Sequence, residues 1–208
     1  MSSRIPFGRC ALGVALLTAS AARAEPASFR PPSGADGIYG RLDGDLDLGL
    51  GLGAEVGRPG VLGAARFTLH YFWTAGIYAA YADAFRPSAT TQRHASVGVH
   101  IKPLFVPRWS QGWEQGPALL DLVLDSLALG VGAYWSEPRG HRFGHERGLE
   151  ASLGLGWPVL SSARGPWLEL SGTLRSADPG FRPAEGSLLV LLAWHELVMT
   201  PLVGASDP

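Results

Sequence analysis

The chain has almost no cysteine and almost no lysine. Cys10 and Lys102 are the only ones among 208 residues. Cys10 lies inside an N-terminal stretch that reads as a removable signal, so a mature chain has no disulfide and no thiol chemistry. Charge is scarce as well, at 17% of residues, which is low for a surface facing water. After residue 24 no apolar run reaches the roughly 18 residues a membrane-spanning helix needs. No stretch carries a good helical pattern either. In their place stand 28 glycines, a heavy use of arginine and 46% hydrophobic residues.

The N-terminus accounts for part of the apolar excess. Arg4 and Arg9 form a positive start, Ala11 to Ala19 an apolar run, and "AARA" at 21–24 ends on the small residues a signal peptidase requires. Residues 1–24 are expected to be a cleaved signal peptide. Residues 25–37, rich in Pro and Ser, read as a flexible leader, 38–198 as a β-barrel and 199–208 as a tail. Removing 1–24 takes away Arg4, Arg9 and Arg23 and no acid, which leaves fourteen basic residues against eighteen acidic ones. That balance argues against a nucleic-acid partner, which calls for a concentrated basic surface.

The organising signal is alternation. In "GDLDLGLGLGAEVG", Gly44 to Gly57, every second residue from Leu46 to Val56 is apolar, and Asp, Gly and Glu stand between. Period-2 patterning with turns between runs is the mark of strands. Further runs fall at about 61–71, 74–84, 94–104, 147–157, 166–175 and 187–198, the first covering about 40–56. The fifth run is irregular. Leu120, Leu122 and Leu124 share one parity and Leu127, Leu129, Val131 and Ala133 the other, and a one-residue slip exchanges a strand's faces. Either a bulge lies near Asp125-Ser126 or 117–125 is a separate short element, strand or short helix, with the strand starting near Ser126. The fold expected is all-β, an eight-stranded antiparallel up-and-down transmembrane β-barrel.

Alternation alone does not say which face is dry. A soluble barrel puts its apolar face inside and a membrane barrel puts it outside. Three features favour the inverted case. The polar faces carry charges of both signs beside glycine. The runs approach or exceed the roughly 9–11 residues of a membrane strand. The aromatics sort by rim: Tyr39, Tyr71, Phe72, Trp73, Phe105, Trp109, Trp113, Trp157, Trp167 and Trp194 fall at one, and Tyr81, Phe85, Tyr134 and Trp135 at the other, as two interfacial girdles would. Over 38–198 the chain thus resembles the small outer-membrane β-barrels of diderm, Gram-negative bacteria, of the OmpA-transmembrane or OmpX type. The resemblance is one of architecture, with no family-specific motif. It implies an outer-membrane location and passage through the outer-membrane assembly machinery. One departure stands out: such barrels end on an aromatic residue, whereas here Trp194 lies well inside the last run.

The polar face supplies candidate lumen ion pairs: Asp43, Asp45, Asp47, Glu55, Arg66, His70, His100, Lys102, Glu150, Glu169 and Arg175. An eight-stranded barrel is too narrow for a water channel, so paired side chains and glycines would fill it. In "RGHRFGHERG", 139–148, Arg139, Arg142 and Arg147 are candidate contacts for lipopolysaccharide phosphates, because guanidinium matches phosphate geometry. His141 and His145 beside Glu146 have metal-binding spacing only on a helix, and the glycines point to a loop, so no metal is expected. His94, Ser96 and His100 share a face and suggest a hydrolase, but no motif of such an enzyme is present, and neither catalytic residue nor cofactor is expected. The leading reading is a non-enzymatic outer-membrane protein with structural, adhesive or envelope-maintenance work, in contact with membrane lipid. The alternatives are an outer-membrane lipid-modifying hydrolase and an exported soluble barrel holding an apolar ligand.

Overall fold

A computed structural model describes residues 39–58, 60–84, 90–114, 117–177 and 185–200. The signal peptide at 1–24, the leader at 25–37, Phe85 and the tail from 201 lie outside the described residues. Eight strands follow one another around a closed barrel, each antiparallel to its neighbours. They are β1 (Leu46–Gly57), β2 (Gly60–Tyr71), β3 (Ala75–Asp83), β4 (Thr91–Ile101), β5 (Ala128–Pro138), β6 (Glu146–Pro158), β7 (Gly165–Ala177) and β8 (Glu185–Val198). Pairing of β1 with β8, Leu46 opposite Val198 through Gly57 opposite Ser187, closes the cylinder and leaves no free edge. The all-β barrel with eight strands is therefore as the alternation predicts.

Two expectations fail. The first strand does not begin near residue 40. Tyr39 and Gly40 both have positive φ, 50° and 84°, and the chain reverses there through a hydrogen bond from the Asp43 amide to the Gly40 carbonyl. The strand starts only at Leu46. The second expectation concerns helix: no stretch shows a good helical pattern in sequence, although 117–125 is left open as a short one. The β4–β5 connection holds two short ones, α1 (Phe105–Ser110) and α2 (Ala118–Asp125). The change of parity in 117–125 is thus a helix and not a bulge. Pro117, in extended conformation, starts α2. Positions 121 and 125, one helical turn apart, place two aspartates on one buried face.

The wall has two chemically opposite faces. Outside stand Leu50, Leu52, Val61, Phe67, Ile77, Val97, Val99, Val131, Leu149, Leu153, Leu170, Leu174 and Leu192, with Leu52 65% and Leu149 72% exposed. Inside stand Asp47, Glu55, Arg66, Thr68, His70, His94, Ser96, His100, Glu150 and His195, all buried. The inner face of β8 is the exception, apolar at Leu189, Leu191 and Ala193.

The terminal rim, where β1 begins and β8 ends, is stoppered. Trp73, Phe105, Leu122, Ala163, Trp167 and Ala193 form one buried cluster beneath the barrel. This corrects the girdle at that rim. Tyr71, Trp109, Trp113, Trp157 and Trp194 are exposed, but Trp73, Phe105 and Trp167 turn inward. At the far rim Tyr134 is buried as well. The cause at Trp73 is local. Phe72 and Trp73 form a two-residue turn with φ of 45° and 55°, the left-handed conformation a tight hairpin demands. Bulky residues rarely adopt it. Here it swings the Trp73 indole under the barrel, 5.5 Å from the Trp167 ring.

Candidate functional site

Charged groups converge in the polar interior, where they form two tiers. In the lower tier Asp47 is the hub. His195 Nδ1 lies 2.8 Å from one of its oxygens, and His70 Nδ1 at 3.2 Å and Lys102 Nζ at 3.4 Å lie near the other. His195 Nε2 is 3.0 Å from Glu169. An ionised carboxylate only accepts hydrogen bonds, so a ring held between two of them carries a proton on each nitrogen. His195 therefore acts here as an imidazolium. Lys102 also sits 3.5 Å from the Trp73 ring centroid, a cation over an aromatic face.

In the upper tier Arg175 bridges two acids. Its Nη1 lies 2.5 Å from Glu55 and its Nε 3.0 Å from Glu150. His94 Nε2 adds a contact of 2.9 Å to Glu55, and the Tyr78 hydroxyl donates to Glu150 at 2.7 Å. Arg66 lies over the Tyr78 ring, which stacks on His100 at 4.3 Å. Four carboxylates, Asp47, Glu55, Glu150 and Glu169, thus meet Arg66, Lys102, Arg175 and the His195 imidazolium. A balanced count lets buried charges persist where one unmatched charge would be costly.

Glycine makes room for this filling. A Cβ on Gly49 would fall 2.3 Å from the Thr68 hydroxyl and 3.2 Å from the His195 ring. Gly98 and Gly132, opposite each other on β4 and β5, form the slot for Tyr78, since a Cβ on either would lie within 2.6 Å of its ring or hydroxyl. What remains is a cavity of about 40 Å³ lined by Arg66, Thr68, His70, His100, Lys102 and His195 among others. That volume suits roughly two or three waters. Arg66 Nε, Thr68 Oγ1 and His70 Nε2 are buried there without a protein partner.

Below the interior, the stopper has its own ion cluster. Arg41, wholly buried, reaches Glu114 at 2.7 Å with one nitrogen and Asp125 with another. Arg108 reaches Asp121 and, at 2.8 Å, Asp125. Arg41 also lies 4.6 Å from the Phe105 ring centroid. Tyr39 donates to Asp121 at 3.0 Å, and burial together with that bond pushes its hydroxyl up to about 12. Among the described residues, three carboxylates face two guanidiniums in this cluster. Burial, and then the Asp125 carboxyl beside it, raise Glu114 to about 8. The Ser126 hydroxyl, which accepts from the Gly156 amide at 2.8 Å, ties the end of α2 to β6.

Of the residues proposed from sequence, Asp47, Glu55, Arg66, His70, His100, Lys102, Glu150, Glu169 and Arg175 come together inside the barrel. Asp43 and Asp45 do not. Both precede β1, because the strand starts later than the alternation suggested. Asp43 is exposed, and Asp45 is buried at the rim, holding the amide of Thr200 at 2.6 Å and its hydroxyl. Those bonds lower the Asp45 carboxyl below its ordinary range. His94 and Ser96 face inward, away from the outer wall. His195 is not among the lumen groups expected from sequence, although its parity with Leu191 and Ala193 marks the inner face. Arg41, Arg108 and Glu114 are not among the expected site residues either. The i, i+4 aspartates 121 and 125 were the available signal.

Arg139, Arg142 and Arg147 are exposed at the far rim. His141 and His145 stack in a loop there, ring centroids 3.9 Å apart, and not on a helix. Among the described residues no group of three His, Cys, Asp or Glu side chains gathers as a metal site. Comparison with protein-family models, curated proteins and solved structures finds no match for this chain.

Proposed function

We propose that the chain is an integral outer-membrane β-barrel, plugged and non-enzymatic, with a structural, adhesive or envelope-maintenance role. One observation carries the reading: the barrel presents leucine, valine and isoleucine outward on every strand and buries its charges. In water that arrangement exposes an apolar surface far beyond what soluble monomers tolerate. In a bilayer it is the stable one. Strands of 9 to 14 residues fit the roughly 9–11 tilted residues that cross the hydrocarbon. Exposed Trp109, Trp113, Trp157 and Trp194 at one rim, with exposed Tyr81 and half-buried Trp135 at the other, suit the two interfaces. Removal of 1–24 as a signal and insertion by the outer-membrane assembly machinery belong to the same reading.

The filled interior also speaks about activity. A cavity of about 40 Å³ among ion pairs has no room for an apolar ligand, which disfavours a lipocalin-like carrier. The stopper of α1 and α2 disfavours free diffusion through the barrel. Among the described residues no serine and histidine pair up on the outer wall, where a lipid-modifying hydrolase would work. The test is placement. Cell fractionation should find the mature chain in the outer membrane, and unboiled samples should migrate faster on gels than boiled ones. Recovery in the soluble periplasmic fraction without detergent would overturn the proposal.

A further inference from the structure

The outer wall of β5, β6 and β7 is notched. Register sets Ala133 beside Leu149, Ala151 between Val131 and Leu174, and Gly172 between Leu153 and Leu188. The three small residues therefore fall on one diagonal, one strand over and one outward position down at each step. Large side chains flank it on both sides. Two hollows follow: one of about 600 Å³ along Val131, Leu149, Ala151 and Leu174, and one of about 470 Å³ along Leu153, Gly172, Gly186 and Leu188. Leu174 borders both. At the top of the diagonal a third hollow, of about 450 Å³, is lined by Trp135 and Arg147, which face each other across β5 and β6.

The loop above that hollow adds charge. Gly140 and Gly144 turn it at φ of 82° and 79°, and Arg93 lies over the Phe143 ring at 5.7 Å. Arg139, Arg142 and Arg147 are exposed, and among the described residues none has a carboxylate partner. Arg93 at the same rim does, with Glu137 at 2.6 Å. A guanidinium fork left open beside an apolar trough matches a phosphate on an acylated anchor. Three forks exceed what the single charge of a phosphodiester needs, and troughs on both sides of Leu174 exceed what one chain fills.

We propose that this face seats one bisphosphorylated, multiply acylated glycolipid of the outer leaflet. Its phosphates meet Arg139, Arg142 and Arg147, one acyl chain lies along Ala133 and Ala151 and another along Gly172, and Trp135 stands at the boundary of head and tail. The inference rests on the membrane reading above. Native mass spectrometry from detergent, with lipid A and phosphatidylglycerol as probes, tests it. Wild type should retain lipid A over phosphatidylglycerol by about tenfold. Changing Arg139, Arg142 and Arg147 together to Ser should remove that preference. Gly172→Leu fills the trough without collision, since a Cβ there meets nothing within 4 Å. It and Ala151→Leu should each lower lipid A retention several-fold, although both make the wall more apolar. Retention unchanged in Gly172→Leu, or equal for the two lipids in wild type, overturns the site. Insertion into phosphatidylcholine vesicles, read by heat-modifiable migration, separates the two claims: a chain that inserts without lipid A preference sinks this inference alone, and one that does not insert sinks the membrane reading.

Discussion

The two ends of this barrel use arginine in opposite ways. At the stoppered end Arg41 and Arg108 are held by Glu114, Asp121 and Asp125 in a dry cluster that includes an aromatic ring. At the far end Arg139, Arg142 and Arg147 stand exposed, and among the described residues none is ion-paired with an acid. The residue type is the same and the surroundings differ. Matched and desolvated, a guanidinium becomes a fastener whose removal strands its partners. Unmatched and wet, it adds little to folding and stays available for an anion from outside.

That contrast can be tested from its strong side to its weak one. Arg41→Met leaves Glu114 and Asp125 short of a cation in a buried site and should cost about 3–5 kcal/mol, read as a lower urea midpoint of unfolding from vesicles. A loss under 1 kcal/mol would show that the stopper is not held by charge. Between the two ends, Leu170→Arg on the outer face of β7 should cost about 2–4 kcal/mol in vesicles, the penalty for a cation in hydrocarbon. Glu114→Gln probes the cluster through pH. The Glu114 carboxyl rises from 4.5 unfolded to about 8 folded, so the native state holds the extra proton between those values. The stability it contributes is full below pH 4.5 and lost as pH climbs through 8. Wild type should therefore show a urea midpoint that declines from pH 5 to 9, and Glu114→Gln a flatter one; identical slopes would refute the assignment. At the weak end, changing Arg139, Arg142 and Arg147 together to Ser should leave the midpoint within about 0.5 kcal/mol, as surface changes usually do.

The barrel was legible because its wall obeys one period. Leu46 through Val56, Ala95 through Ile101 and Leu149 through Trp157 each declare a face, and the structure keeps those faces. The stopper was not legible, because its pattern imitates a strand. Leu120, Leu122 and Leu124 alternate, yet the segment is helical: Pro117 starts a turn and the carboxylates of Asp121 and Asp125 find Arg41 and Arg108 only from one helical face. Those partners lie far off in sequence, Arg41 being 84 positions from Asp125, so no local window brings them together. Asp45 was misplaced for a related reason. Its spacing continues the alternation of Asp47, and only the left-handed turn at Tyr39 and Gly40 shows that the strand has not yet begun.

The bond from Thr200 to Asp45 carries a consequence for how the molecule is made. It joins positions 155 apart, just past the seam where the first strand meets the last. Neither the clasp nor the seam can form without residues 185–200, so closing the tube needs the chain through its last strand. Without that strand, one flank of the first would have no ladder partner, the kind of open edge that invites pairing with another chain.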